Sequence, residues 1–401
     1  MLDILASTWK ITQRLGRPSD VPPGGLPRFE EGTTPLWGHG KALLDDPAGL
    51  LEVARAWLGP VFSLQLPKTT LTVVAGEAGR ALASRPHSLT EPRYLLSAPP
   101  AGTAEARWWT LPTPTEDDRR AAKDVITRAR CRAPIERAAQ ALAGQIERWP
   151  RRGDLLPLLE GSLPLVLGAT LSAPGRAHAA AATLAKIAIE RCEPDLFSPW
   201  PTLPWQRRSA GRLYPQLASE LRPLATDRRH TRREAPSLLG ALSAELGPQR
   251  AARVGAWIAG VTWHRTLAEL RATLARPIDD DALEELLEEH DLLHGDQGDV
   301  TFESATRALA LNRHLESALD GVVDAPQSWQ LTQLESDLRL QRSQLRAGQW
   351  LLSAFGGRGS MACSARWLDT RWGRPLIQAL WSVLLRELCL DHEGGLRYRR
   401  R

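Results

Sequence analysis

Of the four cysteines in the chain, Cys131, Cys192, Cys363 and Cys389, one sits where a metal-bound thiolate would be at home. Cys363 lies in the stretch Ser353-Ala354-Phe355-Gly356-Gly357-Arg358-Gly359-Ser360-Met361-Ala362-Cys363-Ser364-Ala365-Arg366. A thiolate stays ionised when a cation, backbone N–H groups or a helix N-terminus faces the sulfur. Glycines allow a tight turn whose N–H groups point at the sulfur, and they let the backbone approach a flat ligand closely. An apolar-periodic segment from Trp367 to Leu388, interrupted at Pro375, follows the loop. It predicts a helix whose positive dipole end lies just after the cysteine. The competing reading is a buried, inert cysteine beside an ordinary glycine-rich turn. The loop taken by itself leaves both open.

The rest of the composition narrows the function classes. The 401 residues are 43% hydrophobic and 24% charged, an ordinary globular balance far from the disordered range. Lys and Arg total 51 against 46 Asp and Glu, a net charge of +5. The basic residues are scattered, apart from Arg397 to Arg401 around Tyr398. A nucleic-acid binder concentrates them in a stripe or patch, so no nucleic-acid partner is expected, although a weakly basic face suffices to dock an acidic redox protein. No CxxC pair occurs, which argues against structural zinc, and the cysteines are too few for a disulfide framework. No apolar run nears the ~20 residues of a membrane span, and Met1 to Asp20 has no signal-peptide pattern. A soluble cytoplasmic protein is therefore expected. No Gly-x-Gly-x-x-Gly follows a predicted strand, so no flavin or nicotinamide domain is expected.

The periodicities then give the elements that must position the loop. Residues 16–40 are Pro- and Gly-rich and read as an extended lead-in. Asp46-Pro47 opens a helix that ends near Gly59. Val61 to Leu66 and Leu71 to Ala75 read as strands, and a short helix follows from Gly76 to near Ser84. Residues 86–115 contain six prolines and no clear period, so they read as a loop. From Glu116 the pattern is helical almost to residue 293, interrupted chiefly at Pro194 to Pro204, with Pro215 and Pro223 intruding on Leu213 to Leu224. A helix over 279–294 starts with Asp279 to Asp281, acidic residues that suit its dipole. Another is expected from Glu303 to Leu319, and residues 321–352 mix in some strand. The fold class predicted is mainly α with small β-sheets (α+β).

The Cys363 stretch resembles the haem-binding loop of the cytochrome P-450 (haem-thiolate) family: a Phe, two or three glycines, then Cys, near the C-terminus and followed by a helix. Other segments resemble that family in the same order. Pro35-Leu36-Trp37-Gly38-His39 is similar to its N-terminal Pro-Leu-x-Gly-His/Asn, and Leu58 to Leu64 to its first strand. Leu203-Pro204-Trp205-Gln206-Arg207-Arg208 is similar to the segment between its two roof helices. Ala259-Gly260-Val261-Thr262 resembles the Ala-Gly start of the motif on its long central helix. Leu315 to Leu319 resembles the helix that carries Glu-x-x-Arg, and Leu345 to Gln349 a later strand turn. The resemblance runs from about residue 21 onward. It implies a lead of residues 1–20, a single P-450-like domain over 21–401, and haem b (iron protoporphyrin IX) between the central helix and the helix after the loop. Cys363 would be the iron ligand. Phe355, Gly356, Gly357, Arg358, Gly359, Ala259 and Gly260 would surround the haem. Arg119 and Lys123, four apart on one helical face, stand where residues reach the propionates. The implied activity is monooxygenase-type oxidation of a small apolar substrate in secondary metabolism, fed by a ferredoxin-type electron donor, in a divergent bacterial-type member.

The pattern also departs from the family. One extra residue separates Phe355 from Cys363. Ala365 stands where a glycine is expected and Met361 where a basic residue is, with Arg358 as a substitute. The acid–Thr pair that moves protons to dioxygen is replaced by Thr262 and Trp263, then His264; Thr262 and His264 are the relay candidates. Glu316 is kept but its Arg has become Leu319, and the segment between Gly348 and the loop is too short for the usual meander. These departures favour two alternatives: a haem-thiolate dehydratase or isomerase that does not activate dioxygen, or a non-catalytic relative. Each residue also has a plainer reading. Thr262 and His264 would satisfy core hydrogen bonds, Glu316 would be solvated, Arg119 and Lys123 would form an exposed basic face, and most of the 15 Trp would be core.

Overall fold

The computed structural model describes residues 26–75, 94–97, 107–110, 115–171, 183–184, 196–200, 204–226, 237–276, 278–295, 299–321, 328–334, 336–340, 343–355, 368–391 and 397–400. In chain order these form α1 (Gly40–Asp45), α2 (Pro47–Leu58), β1 (Val61–Gln65), β2 (Thr70–Val74), β3 (Tyr94–Ser97), β4 (Arg107–Thr110), α3 (Glu116–Val125), α4 (Arg128–Ile146), β5 (Arg152–Asp154), α5 (Leu155–Leu171), α6 (Pro204–Thr226), α7 (Leu238–Leu246) and α8 (Pro248–Ala275). There follow α9 (Asp280–His294), α10 (Phe302–Arg307), α11 (Leu309–Gly321), β6 (Ser328–Gln333), β7 (Leu338–Leu340), β8 (Ser343–Leu345), β9 (Trp350–Phe355), a π-helical turn (Asp369–Gly373), α12 (Arg374–Glu387), β10 (Leu388–Asp391) and β11 (Arg397–Arg400). The structure is mostly helical with small sheets, an α+β protein. It divides into two compact units, Met1–Leu111 with Arg191–Ala210 and Asp320–Arg366, and Pro112–Glu190 with Gly211–Leu319 and Trp367–Arg401.

The first unit is built on a six-stranded sheet in the order β1-β2-β9-β6-β3-β4. Only β2 and β9 are parallel; Leu71 pairs with Trp350. Side chains alternate across the pleat, and both faces are buried. One carries Phe62, Leu64, Leu71, Val73, Leu331 and Leu352 with Phe29, Leu43 and Leu51; the other carries Val61, Val74, Leu334 and Leu351 with Leu338 and Leu345. The strands β3 and β4 lie inside the stretch expected to be loop. At four residues each they are too short to display a period, and pairing sets them, β3 with β6 and β4 with β3. Trp108 fixes the edge by donating its indole N–H to the Leu43 carbonyl at 2.8 Å.

The turn before α1 explains the Pro-Leu-x-Gly-His stretch. Gly38 has φ 53°, and a Cβ there would run into the Gln65 carbonyl, so glycine is required. The Gln65 N–H donates to His39 Nδ1 at 3.1 Å. That fixes the proton on Nε2, which donates to the Glu31 carbonyl at 2.9 Å. Burial lowers the pKa of His39, in keeping with a neutral ring tying the lead-in to β1.

The second unit is helical, and its caps follow the sequence. Thr115, Ser237 and Asp279 accept from the backbone N–H three residues on, and Thr301 and Ser304 form a capping box. Pro215 and Pro223 lie inside α6. Each removes one backbone bond, and burial of Leu217, Leu221 and Leu224 holds the helix across them. The single helix expected from Glu303 to Leu319 is two. Ala308 leaves helical geometry (ψ 101°), and the Glu289 carboxylate from α9 restarts the chain by accepting from Ala310 N–H at 2.9 Å and Leu311 N–H at 3.1 Å. The basic C-terminal run is largely β11, between β10 and β5. Its Tyr398 is buried and donates to the Pro150 carbonyl at 2.8 Å. Among the described residues no helix is long and apolar enough to cross a membrane.

Candidate site on the central helix

At 28 residues, α8 is the longest described helix and runs through the second unit. Successive side chains step about 100° round it, so its faces have different surroundings. One face is closed by hydrogen bonds. Trp372 donates its indole N–H to Thr262 Oγ1 at 3.1 Å. Three turns on, Trp381 donates to Thr273 Oγ1 at 2.9 Å, and Thr273 donates to the Glu269 carbonyl at 2.7 Å. Arg265 and Glu269, both buried, form an ion pair one turn apart on the same side. Thr262, the first relay candidate, therefore belongs to a packed seam between α8, the π-helical turn and α12.

His264, the second candidate, lies about 200° round the helix from Thr262. The structure does not bring the two onto one face. His264 is fully buried, and desolvation pushes its pKa down to about 3. It is neutral at pH 7 and cannot serve there as an acid in its charged form.

Between these directions runs a stripe of small residues, Ala252, Ala256 and Ala259, followed by Trp263, at spacings of four, three and four. Trp263 is 2% exposed, and its Nε1–H meets no acceptor among the described residues. Other buried tryptophans behave differently: Trp108, Trp149, Trp372 and Trp381 each donate to a carbonyl or hydroxyl at 2.8–3.2 Å. A buried donor left unmet costs ~1–3 kcal/mol, so this orphan, one turn beyond Ala259, marks a place where a further group with acceptor character would fit. Gly260 faces elsewhere. A Cβ there would come within 2.6 Å of the Tyr214 ring, so this glycine lets α6 approach α8. Ala259 is buried on the stripe.

On α3, Arg119 is half-buried and Lys123 exposed; the Lys123 carbonyl accepts from Arg371 at 3.1 Å. Glu316 has a basic neighbour that the sequence pattern did not suggest: Arg374 of α12 approaches it to 3.7 Å and donates to the Asn312 carbonyl at 3.2 Å. Phe355 is the last residue of β9, paired with Ser328. Gly356, Gly357, Arg358, Gly359 and Cys363 lie outside the described residues, as does the expected helix from Gly76. Of the other cysteines, Cys131 is buried and its thiol is pushed up to about 12, so it stays protonated and inert. Among the described residues no cluster of three or more His, Cys, Asp or Glu could hold a metal ion.

Trp263 and the Trp372–Thr262 bond escaped sequence reasoning. The step-by-three-and-four run of alanines ending in Trp is visible in the sequence, but an orphan donor is defined only by its surroundings. No protein-family model matches the chain, and no curated protein matches it.

Proposed function

We propose that the chain is a haem-thiolate oxidoreductase of cytochrome P-450 type, with Cys363 as iron ligand, carrying out monooxygenase-type oxidation of a small apolar substrate. The observation that carries this reading is the orphaned N–H of Trp263 on the same stripe as Ala259, the residue that the family pattern puts beside the haem. The order of elements supports it: a long helix holding Ala259-Gly260, a helix holding Glu316, a strand ending at Phe355 and, beyond the glycine-rich sequence around Cys363, α12. Haem with a thiolate ligand supplies dioxygen activation, the sulfur pushing electron density onto iron. The chain's own residues would do the rest. Gly356, Gly357 and Gly359 allow close backbone approach, and Arg358, Arg119 and Lys123 offer cations for the propionates. Ala259 and Trp263 give a dry surface that orients an apolar substrate and excludes water. Electrons would come from a ferredoxin-type donor.

A second reading, a haem-thiolate dehydratase or isomerase that needs no dioxygen, is favoured by one observation. Thr262 accepts from Trp372 and the buried His264, with its pKa lowered to about 3, lies on another face, so the two do not form the paired acid–hydroxyl arrangement of a dioxygen relay. The first test is the absorption spectrum of the reduced, carbon monoxide-treated protein. A red-shifted thiolate-type band is expected, and Cys363→Ala should abolish it; a chain that takes up no haem overturns both readings. Substrate-dependent oxygen uptake with a surrogate ferredoxin pair then separates them.

A further inference from the structure

In the second unit, the N-terminal ends of α3 and α8 and the middle of α6 enclose a cavity of about 420 Å³. That is within the ~300–1,000 Å³ of small-molecule sites. Its floor is apolar, made by Tyr214, Pro215 and Ala218 of α6 and Ala252, Ala256 and Trp257 of α8. Its rim is basic. Arg222 and Arg253 both line it, are exposed, and form no ion pair among the described residues. The acid on the wall, Asp118, is already neutralised: Arg250 donates to its Oδ1 through Nε at 3.0 Å and Nη2 at 2.7 Å.

An apolar trough beneath two uncommitted guanidinium groups suits one kind of small molecule, an apolar body with a single anionic head. Arg forks match carboxylate geometry, and the neutralised Asp118 removes the nearby repulsion that would otherwise oppose an anion. We propose that this cavity is a binding site for a carboxylate-headed amphiphile such as a medium-chain fatty acid. Its apolar body lies on Ala218, Ala256 and Trp257, and its head is held by Arg222 and Arg253. The site lies on the N-terminal part of the same α8 stripe, at Ala252 and Ala256, and none of the residues that hold the ligand is in the Cys363 loop or at Ala259 and Trp263.

The test is calorimetric titration of the full chain with decanoate, decanol and acetate. Decanoate should bind in the micromolar range, decanol about tenfold more weakly, and acetate not measurably. Replacing both arginines (Arg222→Ala with Arg253→Ala) should weaken decanoate about tenfold and leave decanol unchanged. Ala218→Trp, a change at a half-buried surface position, should fill the cavity and abolish decanoate binding. Cys363→Ala should leave binding intact. The proposal is overturned if decanoate does not bind, if it binds Ala218→Trp as tightly as the parent, if the arginine pair makes no difference, or if Cys363→Ala removes binding, which would put the ligand at the haem.

Discussion

Two faces of one helix answer differently to burial. On the face of α8 toward α12, three polar pairs are formed, Thr262 with Trp372, Thr273 with Trp381 and Arg265 with Glu269, while the buried Thr266 hydroxyl on that side has no partner among the described residues. On the alanine stripe that ends at Trp263, the chain removes side-chain bulk and leaves one buried donor unmatched. The first pattern is architecture, a seam whose hydrogen bonds fix how α8 meets its neighbours. The second is a stretch of small side chains ending at a buried donor that has no partner among the described residues. The contrast separates two kinds of buried polar residue that the sequence presents alike, since Thr262 and Trp263 are adjacent and both buried.

The largest effect should come from unbalancing the matched face. Glu269→Leu leaves the buried Arg265 without this carboxylate, and removing one partner of a buried pair costs ~3–5 kcal/mol. The double replacement Arg265→Leu with Glu269→Leu should cost much less than the single one. Urea unfolding midpoints measure both; a double variant less stable than Glu269→Leu would mean that the pair is not the unit holding this face.

His264 gives the next effect, in pH. Its folded pKa, about 3, lies below the ordinary 6.5, so between those values the unfolded chain holds the extra proton. Stability falls as pH falls through that window, by ~1.4 kcal/mol per unit from this group. His294, lowered to about 4 by burial and by His290, adds a parallel contribution. Denaturant titrations at pH 7, 6 and 5 should show a slope that His264→Leu reduces by about 1 kcal/mol per unit on average, steepening toward pH 5. An unchanged slope would place the acid sensitivity elsewhere, with His294 the first candidate.

How much of this could be read in advance depends on the range of the forces involved. Asp46-Pro47, the strands β1 and β2 and the Asp279 cap were legible because caps and alternation act within a few residues. The strands β3 and β4 were not, because four-residue segments such as Tyr94–Ser97 gain their identity from pairing with β6. The break at Ala308 was hidden because its cause, Glu289, sits on another helix. At the candidate site, Thr262 and His264 could be picked out by type, but their opposite directions follow only once a regular helix is known to pass through both. Glu316 read as a Glu without its Arg; Arg374, 58 positions away (374 − 316), was beyond any local pattern.

A smaller test bears on the matched face alone. Thr262→Val keeps the volume and strands the Trp372 N–H, which should cost ~1–3 kcal/mol, read as a drop in the unfolding midpoint. A cost below that range would mean that the Trp372 bond contributes little and that Thr262 is available for other work.

The finest comparison sets two tryptophans of α8's surroundings against each other. Trp263→Phe and Trp381→Phe delete the same volume from buried positions. Only the second loses a hydrogen bond, worth ~0.5–1.5 kcal/mol net, so Trp381→Phe should be the more destabilising by about 1 kcal/mol in the haem-free protein. On the proposed haem reading, loading with haem should then change the ranking. If the Trp263 N–H finds its acceptor in the site it faces, Trp263→Phe should become the costlier of the two in the loaded protein, and haem should dissociate from that variant about tenfold faster. Equal costs in the haem-free protein would remove the contrast between the faces. A Trp263→Phe protein that holds haem as tightly as the parent would leave the contrast standing but detach it from the haem.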